Sequence, residues 1–173
     1  SEDGPRRVIQ MAQDRFQGLD LLVNNAGTSW VGTVAQMPDD RLDRILNLNV
    51  RSLIRMCREA IPLLSDSSRG QIINVSSVAA DLPVASLAVY CASKASVTLF
   101  TRTLAIELAG EGIRVNVLSP AGTDTEIFDV AGVEVDRKAL IPVAEMARMA
   151  VMMTQFPDSL DVSNISVQKR FAP

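Results

Sequence analysis

The sequence contains no histidine, and this absence removes several kinds of catalytic chemistry. Hydrolases that rely on a histidine base are excluded, and no metal site is expected because histidine is one of the main zinc ligands. Aromatic residues make up only 4% of the chain and the formal net charge is −3, so neither stacking platforms nor a basic stripe for nucleic acid is expected. The chemistry available is that of Tyr, Lys, Ser, Asn and carboxylates.

Cysteine and long apolar runs are also scarce. Cys57 and Cys91 are the only cysteines and have no metal-ligand spacing, which favours free thiols in a reducing compartment, the cytoplasm. No run is long enough to span a bilayer, so no membrane partner is expected. The acidic residues 1–4 do not form a signal peptide, and the lack of an initiator methionine indicates an excised, processed or incomplete chain.

What the sequence does contain is an alternation of strands and helices over one domain, residues 1–173. Apolar spacing predicts helices over 5–16, 39–64, 87–109 and 143–155, and strands over 19–23, 72–75, 113–118 and 165–167. We expect glycine to stop the first helix at Gly18, and residues 119–140 to be irregular. The alternation predicts an α/β fold: a Rossmann-like, doubly wound parallel sheet in three α/β/α layers, with ligands beyond the carboxyl ends of the strands.

Tyr90 and Lys94 are four residues apart on a predicted helix, so they share one face. A free tyrosine has a pKa of about 10, and a nearby ammonium with a cationic cofactor ring would favour the phenolate. Lowering that pKa to about 7 needs roughly 4 kcal/mol. Taken alone, the pair is also compatible with an interfacial tyrosine and a solvated lysine.

Polar side chains also follow the second strand and interrupt the first long helix. Ser76 and Ser77 are both candidates to stabilise a developing oxyanion, or to be simple turn serines. Asn47 and Asn49 lie inside a helix, where asparagine competes with backbone hydrogen bonding. Residue chemistry alone leaves both choices open.

Together these segments resemble the short-chain dehydrogenase/reductase family. The resemblance rests on Asn-Asn-Ala-Gly at 24–27, the helix Asn, Ser-Ser at 76–77, and Tyr-x-x-x-Lys at 90–94, and it covers nearly the whole chain. It implies a catalytic tetrad of Asn49, Ser77, Tyr90 and Lys94, in which Asn49 holds a relay water. The spacing to Tyr90 selects Ser77 over Ser76, and the family pattern selects Asn49 over Asn47.

The resemblance further implies an NAD or NADP cofactor. Its expected contacts share positions after strands or on the catalytic helix: Asn25, Ala26, Gly27, Tyr90, Lys94, Pro120, Thr123 and Thr125. The implied activity is interconversion of a small-molecule carbonyl and a secondary alcohol by hydride transfer. A homodimer or homotetramer through the two long helices is also implied.

The Gly-rich turn with which family members begin is missing from the sequence. The one Gly-x-Gly, at Gly110 and Gly112, follows a predicted helix and precedes a strand, whereas the family's turn follows a strand and opens a helix. We therefore expect the fragment to be marginal as a monomer, with an open strand edge and weak or no dinucleotide binding. A cooperative melt with micromolar cofactor binding would contradict this. The alternative function is a catalytically inactive, truncated product acting as a binding or dimerisation module.

Overall fold

The computed structural model describes residues 3–157, 160 and 162–169 and assigns the following elements. The α-helices are α1 (Gly4–Phe16), α2 (Asp39–Ile45), α3 (Leu53–Ser65), α4 (Ala88–Leu108), α5 (Ile127–Val130) and α6 (Val143–Thr154). The strands are β1 (Leu21–Asn24), β2 (Gln71–Val75), β3 (Arg114–Pro120) and β4 (Asn164–Val167). Short 3₁₀ turns cover Val34–Gln36, Val78–Ala80, Ala109–Glu111 and Arg137–Ala139, and a π-helical turn, Leu46–Ser52, joins α2 to α3.

All strand pairs in the described sheet are parallel, in the order β1-β2-β3-β4. Parallel neighbours are connected through helices, as the sequence alternation predicts. The carboxyl ends of β1, β2 and β3 therefore share one edge of the sheet, and the segments after Asn24, Val75 and Pro120 meet there.

Helices cover both faces of the sheet, which confirms the three-layer α/β/α fold. On one face, Leu22, Ile72 and Val115 join a core with residues of α1, α3 and α4. On the other face, Ile73 and Leu118 pack against Met153 of α6. The central strand β2 is buried on both faces, and its two polar residues, Gln71 and Asn74, are buried with hydrogen bonds to Asn116 and Thr101.

β1 is an edge strand within the described sheet, and the side chains on one of its faces are exposed. Leu21 and Val23, on the face that α6 covers further along the sheet, are 37% and 42% exposed. Leu22, on the opposite face, is buried. An open parallel edge with exposed apolar side chains is prone to association.

The structure differs from the sequence prediction at three places. The first long helix is interrupted by the π turn around Asn49. Gln17 rather than Gly18 takes the left-handed conformation that ends α1, and its N–H bonds to the Gln13 carbonyl. The segment predicted as irregular contains α5 and a 3₁₀ turn, both too short to show an apolar period.

Gly70, immediately before β2, provides a direct test of this packing. A Cβ at Gly70 would lie 2.4 Å from the backbone oxygen of Leu64, so Gly70→Ala forces the end of α3 away from the sheet. We expect a loss of about 2 kcal/mol in the free energy of unfolding, measured by urea denaturation. Gly110→Ala is the matched control, because a Cβ there meets nothing within 4 Å. Equal midpoints for the two variants would contradict the packing described.

Candidate active site

The site lies at the carboxyl edge of the sheet, where three segments converge. The loop after β1 carries Gly27 and Thr28, the loop after β2 carries Ser77, and the first turns of α4 carry Tyr90 and Lys94. The π turn brings Asn49 to the same place. All four residues of the expected tetrad thus lie in segments that meet at this edge.

Asn49 is buried and clamps the loop after β1. Its Oδ1 accepts from the Thr28 N–H at 2.8 Å, and its Nδ2 donates to the Thr28 carbonyl at 2.9 Å and to Ser93 Oγ at 3.0 Å. Asn47, by contrast, is exposed. π turns of this kind are frequent at functional sites. Because both amide hydrogens of Asn49 have protein partners, the side chain acts as a clamp rather than as a direct donor to a water.

Lys94 is buried and points to the end of β2. Its Nζ donates to the Val75 carbonyl at 3.0 Å and lies 5.8 Å from the centroid of the Tyr90 ring. Burial lowers the pKa of Lys94 to about 8, because the interior disfavours the charged form. The side chain therefore remains mainly an ammonium at neutral pH.

Tyr90 is half-buried, and its pKa is raised above the ordinary value. Desolvation dominates, while a hydrogen bond with the Ser77 side chain acts in the opposite direction. Burial outweighs the other influences on the phenol. The lowering expected from the sequence depends on a cationic nicotinamide beside Tyr90 as well as on Lys94, and it stays a prediction. Tyr90 is thus a protonated phenol at neutral pH, suited to giving a proton.

The two serines after β2 have different surroundings. Ser76 Oγ donates to the Lys94 carbonyl at 2.9 Å and shares a hydrogen bond with Thr98 Oγ1 at 2.7 Å, so it fastens β2 to α4. Ser77 Oγ accepts from the Ala79 N–H at 3.1 Å and interacts with Tyr90. The geometry therefore favours Ser77 as the serine that faces a substrate.

The expected cofactor contacts lie along the same edge. Asn25, Ala26 and Gly27 are exposed after β1, while Pro120 ends β3. Thr123 and Thr125 lie beyond β3 and donate locally to the carbonyls of Ala121 and Thr123, so their oxygens retain only acceptor capacity.

A cradle near Lys94 suits the ribose and nicotinamide end of a dinucleotide. A Cβ on Gly27 would lie 3.4 Å from Asn49 Oδ1 and 3.5 Å from Lys94 Nζ, so this turn packs directly against both side chains. The donor set, with one ammonium, one phenol and one hydroxyl, fits a ribose and a substrate oxygen. The described part of the chain shows no Gly-rich turn opening a helix, which is the usual pyrophosphate site.

Sequence reasoning did not single out Thr28 or Ser93. Thr28 contributes through its backbone, which leaves no signal in the residue type. Ser93 is fully buried between Tyr90 and Asn49, and its place three residues after Tyr90 on α4 was the available hint.

Two classes of feature are not found in the described residues. None of the helices there combines the length and apolarity needed to cross a membrane. No group of three or more His, Cys, Asp or Glu side chains in the same part of the chain is arranged to hold a metal ion.

Comparisons with known proteins agree with the fold. The family model for short chain dehydrogenases matches residues 1–134. An uncharacterized oxidoreductase of Staphylococcus aureus (strain MRSA252) is 31% identical over 161 residues, covering 93% of this chain and 69% of that protein. A 3beta-hydroxysteroid dehydrogenase of Mediterraneibacter gnavus is 35% identical over 136 residues, covering 78% of this chain and 49% of that protein.

A solved structure gives the same result in three dimensions. The 3-ketoacyl-(acyl-carrier-protein) reductase from Brucella melitensis, complexed with NADH, superposes with a TM-score of 0.88 at 28% identity. The match covers 97% of this chain and 73% of that one. With the family model matching most of the chain, the chain belongs to the short-chain dehydrogenase/reductase family of oxidoreductases.

Proposed function

We propose that the chain carries the active site of an NAD(P)-dependent oxidoreductase that interconverts a carbonyl and a secondary alcohol. The observation that carries the proposal is the juxtaposition of Tyr90 with Ser77 and the buried ammonium of Lys94 at the carboxyl edge of the sheet. A phenol, a hydroxyl and a cation around one point are the groups needed to protonate and polarise a substrate oxygen.

In carbonyl reduction, Tyr90 gives its phenolic proton to the substrate oxygen. Ser77 donates a hydrogen bond to the same oxygen and stabilises the negative charge that develops there. Lys94 binds the ribose and favours the phenolate that remains after proton transfer. The nicotinamide cofactor, when bound, supplies or accepts the hydride.

Asn49 contributes by fixing the wall of the site. Its two hydrogen bonds to the Thr28 backbone hold the turn at Gly27 beside Lys94. The expected contacts of the cofactor are Asn25, Ala26 and Gly27 after β1, Tyr90 and Lys94 on α4, and Pro120, Thr123 and Thr125 after β3. The choice between NAD and NADP depends on a segment after the second strand of the complete family fold, so both are tested.

The experiment is a screen of ketones against NADH and NADPH, with the protein as its gene encodes it. Oxidation of one cofactor that depends on the ketone, together with formation of the matching alcohol, supports the proposal. Cofactor binding without turnover of any ketone or secondary alcohol would favour the alternative, a catalytically inactive binding or dimerisation module.

We also propose that the protein is cytoplasmic and that its two long helices form a homodimer, or the dimer within a homotetramer. Both cysteines are free, as a reducing compartment requires. On the outward side of α4, Leu99 and Ile106 are 67% and 79% exposed. Exposure of such apolar side chains is typical of a protein interface.

The charges of the first long helical segment are unevenly distributed. Aspartates outnumber arginines in its amino-terminal part, and arginines outnumber glutamate in its carboxyl-terminal part: Asp39, Asp40 and Asp43 stand with Arg41 and Arg44, and Arg51, Arg55 and Arg58 stand with Glu59. In an antiparallel pair of copies, each acidic end lies against the basic end of its partner, as a twofold interface requires.

Charge reversal tests this arrangement. We expect Arg55→Glu with Arg58→Glu to yield monomers in sedimentation velocity, because both pairs of opposite charges become repulsive. Asp40→Lys with Asp43→Lys should do the same. Mixing the two variants should restore a mixed dimer; dimers that survive in each variant alone would contradict the interface.

A further inference from the structure

We propose that Ser93 is a positioning residue that sets the orientation of the Asn49 amide and, through it, the cofactor side of the site. The inference rests on the proposed function and extends it to a residue outside the tetrad. Ser93 has no exposed surface; its Oγ donates to the Tyr90 carbonyl at 2.7 Å and accepts from Asn49 Nδ2 at 3.0 Å.

The direction of these hydrogen bonds determines which way the Asn49 amide faces. Ser93 has one hydroxyl hydrogen, and the Tyr90 carbonyl takes it. Ser93 can therefore offer Asn49 only a lone pair, which selects the amide nitrogen rather than the oxygen. With the nitrogen so placed, Oδ1 is left to accept from the Thr28 N–H.

The orientation of the Asn49 amide affects the surroundings of the Lys94 ammonium, because Asn49 holds the loop after β1 that lies beside it. Asn49 holds Thr28 by both its N–H and its carbonyl, and the adjacent Gly27 forms the wall beside Lys94 Nζ. Loss of the Ser93 hydroxyl leaves one buried Asn49 hydrogen without its acceptor, so the amide is held by its two bonds to Thr28 alone and its grip on the loop weakens. Tyr90 keeps its phenol and its Ser77 partner, so proton transfer is less affected than cofactor binding.

The matched pair of variants is Ser93→Ala and Ser96→Ala. Ser96 lies on the same helix, and its hydroxyl also donates to a helix carbonyl, that of Ala92, at 2.9 Å. Ser96 is exposed, and the hydrogen bonds of the Asn49 amide go to other residues. Both variants remove one helical serine hydroxyl. Only Ser93→Ala removes the acceptor of the Asn49 amide.

The direct readout is hydrogen exchange of the Asn49 side-chain amide, followed by NMR. We expect Ser93→Ala to accelerate it by roughly tenfold or more, Ser96→Ala to leave it unchanged, and Ser93→Thr, which keeps the hydroxyl, to restore slow exchange. Unchanged exchange in Ser93→Ala would overturn the proposal. This measurement needs no turnover, so it decides the role of Ser93 even if the proposed activity fails.

The kinetic readout separates positioning from general structural damage. Ser93→Ala should raise KM for the dinucleotide by roughly tenfold while kcat changes less than about threefold. In an Asn49→Ala background, Ser93→Ala should add nothing further, because both changes act through the same amide. Additive effects of the two substitutions, or an equal loss in kcat and KM, would overturn it.

Discussion

Tyr90→Phe is expected to lower kcat for carbonyl reduction by about 10³-fold, because under the proposed function it removes the phenolic proton that the substrate oxygen receives. Tyr90 is the only tyrosine in the chain, so no second phenol can replace it. The ring is retained, and the change removes only the hydrogen bond with Ser77. We expect the midpoint of urea unfolding to shift little, and KM for the dinucleotide to stay within about threefold.

Cys91→Ser is the matched control for this variant. Cys91 is the neighbouring, half-buried residue on α4 and has no assigned role in proton transfer. It should keep activity near that of the unmodified protein in the same steady-state assay. Comparable turnover by Tyr90→Phe and the unmodified protein would refute the assignment of Tyr90 as the proton donor.

Carbonyl reduction is expected to fall as the pH rises through the pKa of Lys94. Burial lowers that pKa to about 8, so the ammonium is present below this pH and lost above it. Tyr90, whose pKa is raised, keeps its proton through the same range. We therefore expect kcat/KM for the dinucleotide, which reports groups of the free enzyme, to be level near neutrality and to fall above about pH 8.

Two substitutions at Lys94 test this assignment. Lys94→Met removes the cation and should lower kcat/KM by about 10²-fold or more. Lys94→Arg keeps a charge that does not titrate, so its activity, although reduced by altered geometry, should no longer fall near pH 8. A falling limb that stays in place in Lys94→Arg would show that another group controls it.

The sequence was sufficient to predict the order and type of the main elements. The apolar runs of β2 and β3 and the helical period of α4 each reflect burial that the final fold satisfies. The parallel sheet follows from the alternation, and the edge where ligands bind follows from the parallel sheet. The tetrad residues were selected by the resemblance to the short-chain dehydrogenase/reductase family, because residue chemistry alone left the choice between neighbouring serines and between neighbouring asparagines open.

Local backbone geometry was beyond sequence reasoning. The apolar period from Leu42 to Ile61 continues through the π turn, so nothing in the pattern marks the break at Asn49. The partners of Asn49 are the backbone groups of Thr28, and backbone groups are the same for every residue type. The end of α1 at Gln17 likewise depends on a left-handed conformation that glycine is not required to supply.

The burial of the site residues was also beyond sequence reasoning. The sequence shows that Tyr90 has a lysine four residues away, but it does not show how deeply the phenol is desolvated. Nor does it show that Lys94 Nζ is turned to the Val75 carbonyl. Burial is a property of the packed chain, so the raised pKa of Tyr90 appears only in the structure.

Under the proposed function, Tyr90 gives a proton to the carbonyl oxygen, and the nicotinamide cofactor, when bound, would supply the hydride to the carbonyl carbon. The most direct test is to supply NADH or NADPH carrying deuterium at the transferring position and to examine the alcohol by NMR. We expect deuterium at one face of the carbinol carbon with the unmodified protein, and about 10³-fold less labelled alcohol in the same time with Tyr90→Phe. Label in the alcohol to the same extent with both proteins would contradict it.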